Sequence, residues 1–483
     1  MKTESFNHQV IRATKWSGIT EVIAKLVTPI SSMVLARLLT PEAFGVVATI
    51  VMVISFAELF TDAGFQKYLI QHEFKDQEDL EQSTNVAFWS NLSFSFFLWG
   101  VISIFANPLA VLVGSPGCGL VLVVACISIP LEAFSSIQLA LYRRRLDFKI
   151  LFKARIVSLF VPLFFTIPVA FLLRSYWALV WGMIVQNVMN ALFLTCYSSW
   201  KPTWFYSYRK LKEMFSFTIW SLIESVSIWL TGYVDIFIVG TLLNQYYLGL
   251  YKTSMALVGQ MTGLVTAATT SVLFSSLSRQ QNNDAEFRMI FLTFQKSVSV
   301  LLIPMGVLIF CFSDTITLIA LGRQWEETAN FMGLWGLTSS IMIVLSHYAC
   351  EIYRAKGLPK LSVLSQWLHL IVLWPVVLIA VRYGFESLYI ARSIVRFQGL
   401  FVDMVLIYIL VHISPWQMLK NIFPALVCSM MMLVVAFAFR GCCHSVIEDL
   451  VLLLVCSLFY IAIIGLFPKE RKMMKSYLFT KTG

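Results

Sequence analysis

The chain has 483 residues, of which 58% are hydrophobic and 13% charged, and it carries a formal net charge of +10. Soluble domains are about half apolar and about a quarter charged, so too few polar side chains are present here to wet a soluble surface. Apolar runs recur along the chain, as in 154–173 (ARIVSLFVPLFFTIPVAFLL) and 450–467 (LVLLLVCSLFYIAIIGLF); each is long enough to cross roughly 30 Å of hydrocarbon, and their continuity excludes the alternating segments of a β-barrel.

In chain order, the sequence predicts an all-α integral membrane protein of about fourteen spans, near 16–36, 44–71, 84–105, 119–141, 154–173, 178–199, 215–240, 250–275, 289–312, 328–351, 361–381, 387–410, 421–440 and 449–467. The opening MKTESFNHQVIRATK is polar, and the first apolar run holds Glu21 and Lys25 with no small-residue cleavage site behind it. It therefore reads as an uncleaved first span and not as a signal peptide. The nine cysteines lie mostly within spans, where a thiol acts as a small hydrophobe, so no disulfide framework is expected.

Lys and Arg alternate by loop. With the N-terminus inside, 25 fall on cytoplasmic segments, 5 on the opposite side (Arg37, Arg174, Arg323, Arg382, Arg440) and 6 within spans. This asymmetry places both termini in the cytoplasm and makes the span count even. The basic charge is thus a topology signal, and no stripe suited to nucleic acid appears.

The sequence also matches itself at an offset of 204 residues. Thr14, Trp16, Ser17, Val22 and Leu26 pair with Thr218, Trp220, Ser221, Val226 and Leu230, and LLTPEAFG at 38–45 lies over LLNQYYLG at 242–249. Six spans separate the copies, which implies a parallel repeat. The expected organisation is an N-terminal six-helix lobe (1–199), a basic cytoplasmic linker (200–214), a C-terminal six-helix lobe (215–410), and two further transmembrane helices with a basic cytoplasmic tail (411–483). No loop exceeds about 16 residues and no GxxxxGK[ST] phosphate loop occurs, so the chain has no ATPase of its own.

Several stretches resemble the oligosaccharide flippases of the polysaccharide transporter family, in the superfamily that also holds multidrug (MATE) and lipid II exporters. They are TKWSGI at 14–19, MVLARLLTPEAFGVVA at 33–48, FAELFTDAGFQKYLIQ at 56–71, YRRRLDFK at 142–149, YVDIFIVGTLLNQYYLGLY at 233–251, LGRQW at 321–325 and RAKGLPK at 354–360. The block 33–71 is similar to colanic-acid type exporters. The resemblance implies a MATE-like and lipid-II-flippase-like fold in the bacterial inner membrane, moving an undecaprenyl-diphosphate-linked oligosaccharide outward by alternating access for surface polysaccharide synthesis. It further implies the polysaccharide polymerase and chain-length machinery as partners. It carries no strict catalytic motif, so no enzyme activity is expected and site residues must come from physics.

A charge at mid-bilayer costs about 2.5 to 3.5 kcal/mol on insertion scales, so each one needs a reason. Arg392, Arg396 and Asp403 share a face of the twelfth span. The two arginines suit a diphosphate, while an ion pair with Asp403 or with a neighbouring carboxylate is the structural alternative. Lys25 is a third diphosphate candidate, or an internal partner of Glu21 one turn away. Glu58 and Asp62, one turn apart, together with Asp235, are candidates for coupling Na+ or H+; partial hydration near the periplasmic end is the simpler account of Asp235. Glu224, Ser221 and Ser225 are candidates for lining the cavity and binding sugar hydroxyls. Lys67, Lys252 and Lys296 are read as snorkelling, Trp16 and Trp220 as interfacial belt residues, and His347 and His369 as packing residues. Neither these nor Cys442, Cys443 and His444 have metal-site spacing, and no cofactor is expected. The rival functions are an ion-coupled multidrug exporter, whose cavity should be acidic or aromatic, and a membrane glycan polymerase or ligase, which the short outer loops disfavour.

Overall fold

The computed structural model describes residues 2–62, 64–358, 360–468 and 470, with the side chains of all of these except 2–15, 17, 22, 62, 215–221, 223, 224, 268 and 271. The side chains of Asp62, Trp220, Ser221 and Glu224, and the basic tail from 471 onward, lie outside the described residues. Among the described residues there is no β-strand; thirteen helical spans are long and apolar enough to cross a membrane, or fourteen with one bent pair, 245–267 and 272–279, counted as a span. The all-α expectation of about fourteen spans is met.

The chain forms two compact units, residues 1–252 and 253–483. The first contains α1 (Lys2–Leu38), α2 (Pro41–Asp62), α3 (Phe65–Gln71), α4 (Gln77–Ile104), α5 (Ala106–Leu112), α6 (Gly119–Ala125) and α7 (Ser128–Arg144). It continues with α8 (Phe148–Val161), α9 (Ile167–Leu173), α10 (Trp177–Tyr197), α11 (Tyr208–Leu242) and the opening turns of α12 (Gln245–Arg279). The seventh span, α11, packs on α2, α3 and α4 and so belongs to the first unit by contact, whereas the repeat assigns it to the second lobe. The contact units thus divide after residue 252, past the 200–214 linker.

Short-range chemistry explains the breaks. Gly64 takes φ +81° between α2 and α3, a conformation that costs a residue with a Cβ about 1–2 kcal/mol. Asp76 caps α4 by accepting the Asp79 N–H at 2.7 Å. The triple arginine of the YRRRLDFK block does more than mark the cytoplasmic side. Arg144 donates to the carbonyls of Leu69 and His72 at 2.8 Å each, satisfying the end of α3, while Arg145 reaches Ser199. The linker is held along α4: Thr203 N–H donates to Asn85, Trp204 stacks on Trp89 with ring centroids 4.2 Å apart, and Lys210 pairs with Asp79.

The repeated LLTPEAFG and LLNQYYLG segments meet one another. A Cβ on Gly45 would lie 1.9 Å from the Gln245 carbonyl oxygen, and one on Gly249 would lie 1.8 Å from that of Pro41. Gly45 with Gly249, and Pro41 with Gln245, are the repeat partners, so the starts of α2 and α12 touch reciprocally at two glycines. Backbone-to-backbone approach of this kind is what small residues permit in membrane helices.

The second unit holds the rest of α12, then α13 (Asp284–Cys311), α14 (Ser313–Ala320), α15 (Ala329–Met342), α16 (Ala349–Ala355), α17 (Lys360–Ala380), α18 (Phe385–Val411), α19 (Pro415–Arg440) and α20 (Val446–Ile464). A five-residue π-helical turn, Ile343–His347, lies between α15 and α16. The core runs through α13, α15, α18, α19 and α20. Lys296 does not snorkel: it makes a 2.6 Å ion pair with the buried Glu470. His369 shares a 3.1 Å hydrogen bond with Gln398, as its reading as a packing residue expects.

Candidate functional site

Two polar constellations stand out, one in each unit. In the first unit, α2, α3, α4, α7 and α11 enclose a cavity of about 250 Å³. Helical spacing sets its lining: Ser55 and Glu58 on α2, Glu132 and Ser136 on α7, and Ser225 on α11 each follow the i, i+3 or i+4 rows that share a face. Lys67 stands at its edge on α3, with an exposed side chain, and Asn91 of α4 is buried at its wall. Two sequence candidates are thus brought together, Glu58 from the coupling set and Ser225 from the sugar set.

Most hydroxyl hydrogens of this wall are already used. Ser55 donates to the Met52 carbonyl at 3.0 Å, Thr61 to that of Glu58 at 3.2 Å and Ser136 to that of Ala133 at 3.0 Å. Ser55 Oγ also accepts the Trp229 indole N–H at 3.0 Å, and Ser136 Oγ accepts the Asn91 amide at 2.9 Å.

Asp235 is not partly hydrated, as its place near a span end suggested. Its side chain is 1% exposed and accepts the Tyr251 hydroxyl and the Ile236 N–H, both at 2.8 Å, because the first turns of α12 fold over it. Lys252, read as snorkelling, sits 5.4 Å from the Tyr233 ring centroid beside it. Lys25 is half-buried on α1 and Glu21 is exposed; no ion pair joins them among the described residues, and neither lines the cavity. Trp16 packs on Phe152 with ring centroids 4.7 Å apart.

In the second unit, Arg392 and Arg396 lie one turn apart on α18 and face Trp335 and Ser339, one turn apart on α15. The Arg396 guanidinium carbon is 4.0 Å from the Trp335 ring centroid and that of Arg392 is 5.2 Å away, while Arg396 donates to Ser339 Oγ at 2.7 Å. Arg392 is buried. Phe331 stacks on Tyr389 and packs edge-on against Phe385 beside them, which extends the aromatic wall. Cation–π contacts with such a wall contribute about 0.5–2 kcal/mol each, more where water is excluded.

Asp403 does not neutralise these arginines. It accepts hydrogen bonds from Ser365 Oγ at 2.7 Å, from Tyr353 Oη at 3.0 Å and from Ser346 Oγ, and it makes no ion pair among the described residues. Ser346 reaches it from the π-helical turn, a feature frequent at functional sites. Asn91, Glu132, Trp335 and Ser339 were not singled out in the sequence. Glu132 carried the signal that was overlooked, an acid inside the span 119–141; the others acquire meaning only from what packs beside them.

The chain matches the family described as polysaccharide biosynthesis protein over residues 34–330. The succinoglycan biosynthesis transport protein ExoT of Rhizobium meliloti (strain 1021) is 24% identical over 359 residues, spanning 74% of this chain and 71% of that protein. The lipopolysaccharide biosynthesis protein WzxC of Escherichia coli (strain K12) is 19% identical over 327 residues, 67% of this chain and 65% of that one. Among solved structures, the lipid II flippase MurJ in an inward closed conformation superposes with a TM-score of 0.75 at 14% identity, covering 94% of this chain and 99% of that chain, and shows the fold.

Proposed function

Since this chain belongs to the polysaccharide biosynthesis protein family, we propose that it is a flippase carrying a lipid-linked oligosaccharide, joined through a diphosphate to a polyprenyl carrier, outward across the bacterial inner membrane. Both termini are cytoplasmic in this reading, the mechanism is alternating access between the two repeats, and a polysaccharide polymerase with its chain-length machinery receives the product. No chemistry on the cargo is required. The relatives named as transport and lipopolysaccharide biosynthesis proteins support the cargo class.

The observation that carries the reading is the pair Arg392 and Arg396 against Trp335, two fixed cations within the apolar span Phe385–Val411 whose same-helix carboxylate is committed elsewhere. Guanidinium forks bind phosphoryl oxygens in charge-assisted pairs, and the indole holds both stems in place before cargo arrives. An inside-negative potential favours outward movement of the anionic head group, by about 2.3 kcal/mol per charge per 100 mV. Coupling to Na+ or H+ through Glu58, Asp62 or Asp235 is a second proposed driving force, and Ser225 with Ser221 and Glu224 is proposed to meet the sugars.

Arg396→Ala is expected to abolish glycan export in a cell lacking its own exporter while the protein still inserts, and Arg396→Lys to retain part of it, since an ammonium keeps the charge but loses the fork. Unchanged export in Arg396→Ala would remove the arginine pair from the site. The carboxylates of the first-unit cavity favour the rival reading of a cationic-drug exporter. Resistance conferred on a drug-hypersensitive host, without glycan export, would select that rival.

A further inference from the structure

Along the α2–α11 face of the first unit, aromatic rings follow one another in a continuous row. Phe60 packs edge-on against Phe56 with ring centroids 5.1 Å apart, Phe56 meets Trp229 at 4.8 Å, and Trp229 stacks on Tyr233 at 5.2 Å with the planes 20° apart. Helical spacing makes the row: Phe56 and Phe60 are one turn apart on α2, and Ser225, Trp229 and Tyr233 succeed one another at i+4 on α11. Phe56 is 42% exposed, and Phe60, Trp229 and Tyr233 are half-buried. The Trp229 ring is fixed in its plane because the indole N–H donates to Ser55 Oγ at 3.0 Å. Acyl chains do not account for this row. It starts at the polar cavity, whose wall includes Ser55 and Ser225, and it ends at Lys252, whose ammonium is 5.4 Å from the Tyr233 centroid. Ionisable groups within spans face protein or water, and here they bracket the rings at both ends. The cavity itself presents donors and acceptors together, the Lys67 ammonium and Gln66 amide beside the carboxylates of Glu58 and Glu132.

We infer that Phe56, Trp229 and Tyr233 form a stacking track for the sugar rings of the cargo, running from the cavity along α11. A pyranose carries hydroxyls on its rim and C–H bonds on its faces, so it is held by flat aromatic surfaces with polar groups at their margins. The aromatic positions on α11 repeat at one helical pitch, about 5.4 Å, close to the length that one pyranose unit adds to an extended glycan. The track selects rings with an uninterrupted C–H face, as β-linked glucose has. The inference rests on the flippase reading, to which it adds the path of the glycan and the ring feature that is recognised.

The test uses the full chain in lipid nanodiscs and saturation-transfer NMR with cellotriose, whose β-linked rings expose C–H faces, and sorbitol, which has the hydroxyls without a ring. Wild type should bind cellotriose, with saturation strongest at the ring C–H protons, and should not bind sorbitol. Phe56→Leu keeps apolar bulk but no flat face, and should weaken cellotriose roughly fivefold, as should Trp229→Leu. Trp229→Phe keeps a flat ring and loses only the tether to Ser55, so it should weaken binding about twofold. Phe56 is exposed, so Phe56→Leu carries the test even where Trp229→Leu fails to fold. Equal binding of sorbitol, an unchanged cellotriose affinity in Phe56→Leu, or binding of tetraphenylphosphonium with none of cellotriose would each overturn the inference. Glycan export in a cell lacking its own exporter, scored alongside, separates the two readings. Export by wild type with no cellotriose binding removes the track and keeps the flippase; cellotriose binding that Phe56→Leu weakens, in a chain that exports no glycan, removes the flippase and keeps a carbohydrate-binding face.

Discussion

Arg396 and Asp403 sit two turns apart on one helix and contact different residues. The arginine leans on an indole and a serine, and the carboxylate is ringed by three hydroxyls. This separation predicts opposite phenotypes. Asp403→Ala removes the acceptor that ties α16, the π-helical turn and α17 to α18, and should destabilise the protein by roughly 1–3 kcal/mol, read as a lower Tm in detergent. Arg396→Ala should lose transport, with a modest fall in Tm from the lost contacts to Trp335 and Ser339. A stable Asp403→Ala variant would show that the hydroxyl cage contributes nothing to the fold. The charged positions of both clusters were legible in the sequence because a charge inside an apolar run has so few explanations. Their partners were not: Trp335 and Ser339 read as ordinary span residues until α15 is laid against α18, and Asn91 matters because its amide is held by Ser136 of another helix.

At the scale of elements, apolar run length foretold the helices well, since nothing else satisfies backbone groups in lipid. Where a run breaks was harder to read, because the α2–α3 break at Gly64 and the five-residue π-helical turn are short events within long, mostly apolar stretches. The repeat supplied more than a fold class, for two of its matched segments, 38–45 and 242–249, touch one another. Adding a methyl at Gly45 or Gly249 pushes a Cβ into a carbonyl of the facing helix start, which cannot move aside as a side chain would. Gly45→Ala and Gly249→Ala should each cost about 1–3 kcal/mol in thermal unfolding. Gly232→Ala, with nothing within 4 Å, should be neutral or mildly stabilising through helix propensity. If all three behaved alike, the reciprocal contact would have no energetic meaning.

For the whole molecule, composition marked a membrane protein, loop charge its expected orientation, and the internal repeat and family resemblance a transporter; the family match over 34–330 places the chain among polysaccharide biosynthesis proteins. Burial was the part least visible from sequence. Asp235 looked near a span end and is enclosed by the next helix, and Lys296 looked able to reach water and is bound to Glu470 far along the chain. Both are long-range events that periodicity does not encode. The central claim is that fixed guanidinium groups in the second unit carry a diphosphate-linked glycan outward. It is tested most directly in proteoliposomes of uniform orientation loaded with a polyprenyl-diphosphate oligosaccharide, by following glycan that becomes reachable to an added glycosidase on the periplasmic side. Exposure should proceed with wild type, quicken under a potential negative on the cytoplasmic side, and stop with Arg396→Ala. Equal exposure with wild type, Arg396→Ala and protein-free vesicles would contradict it.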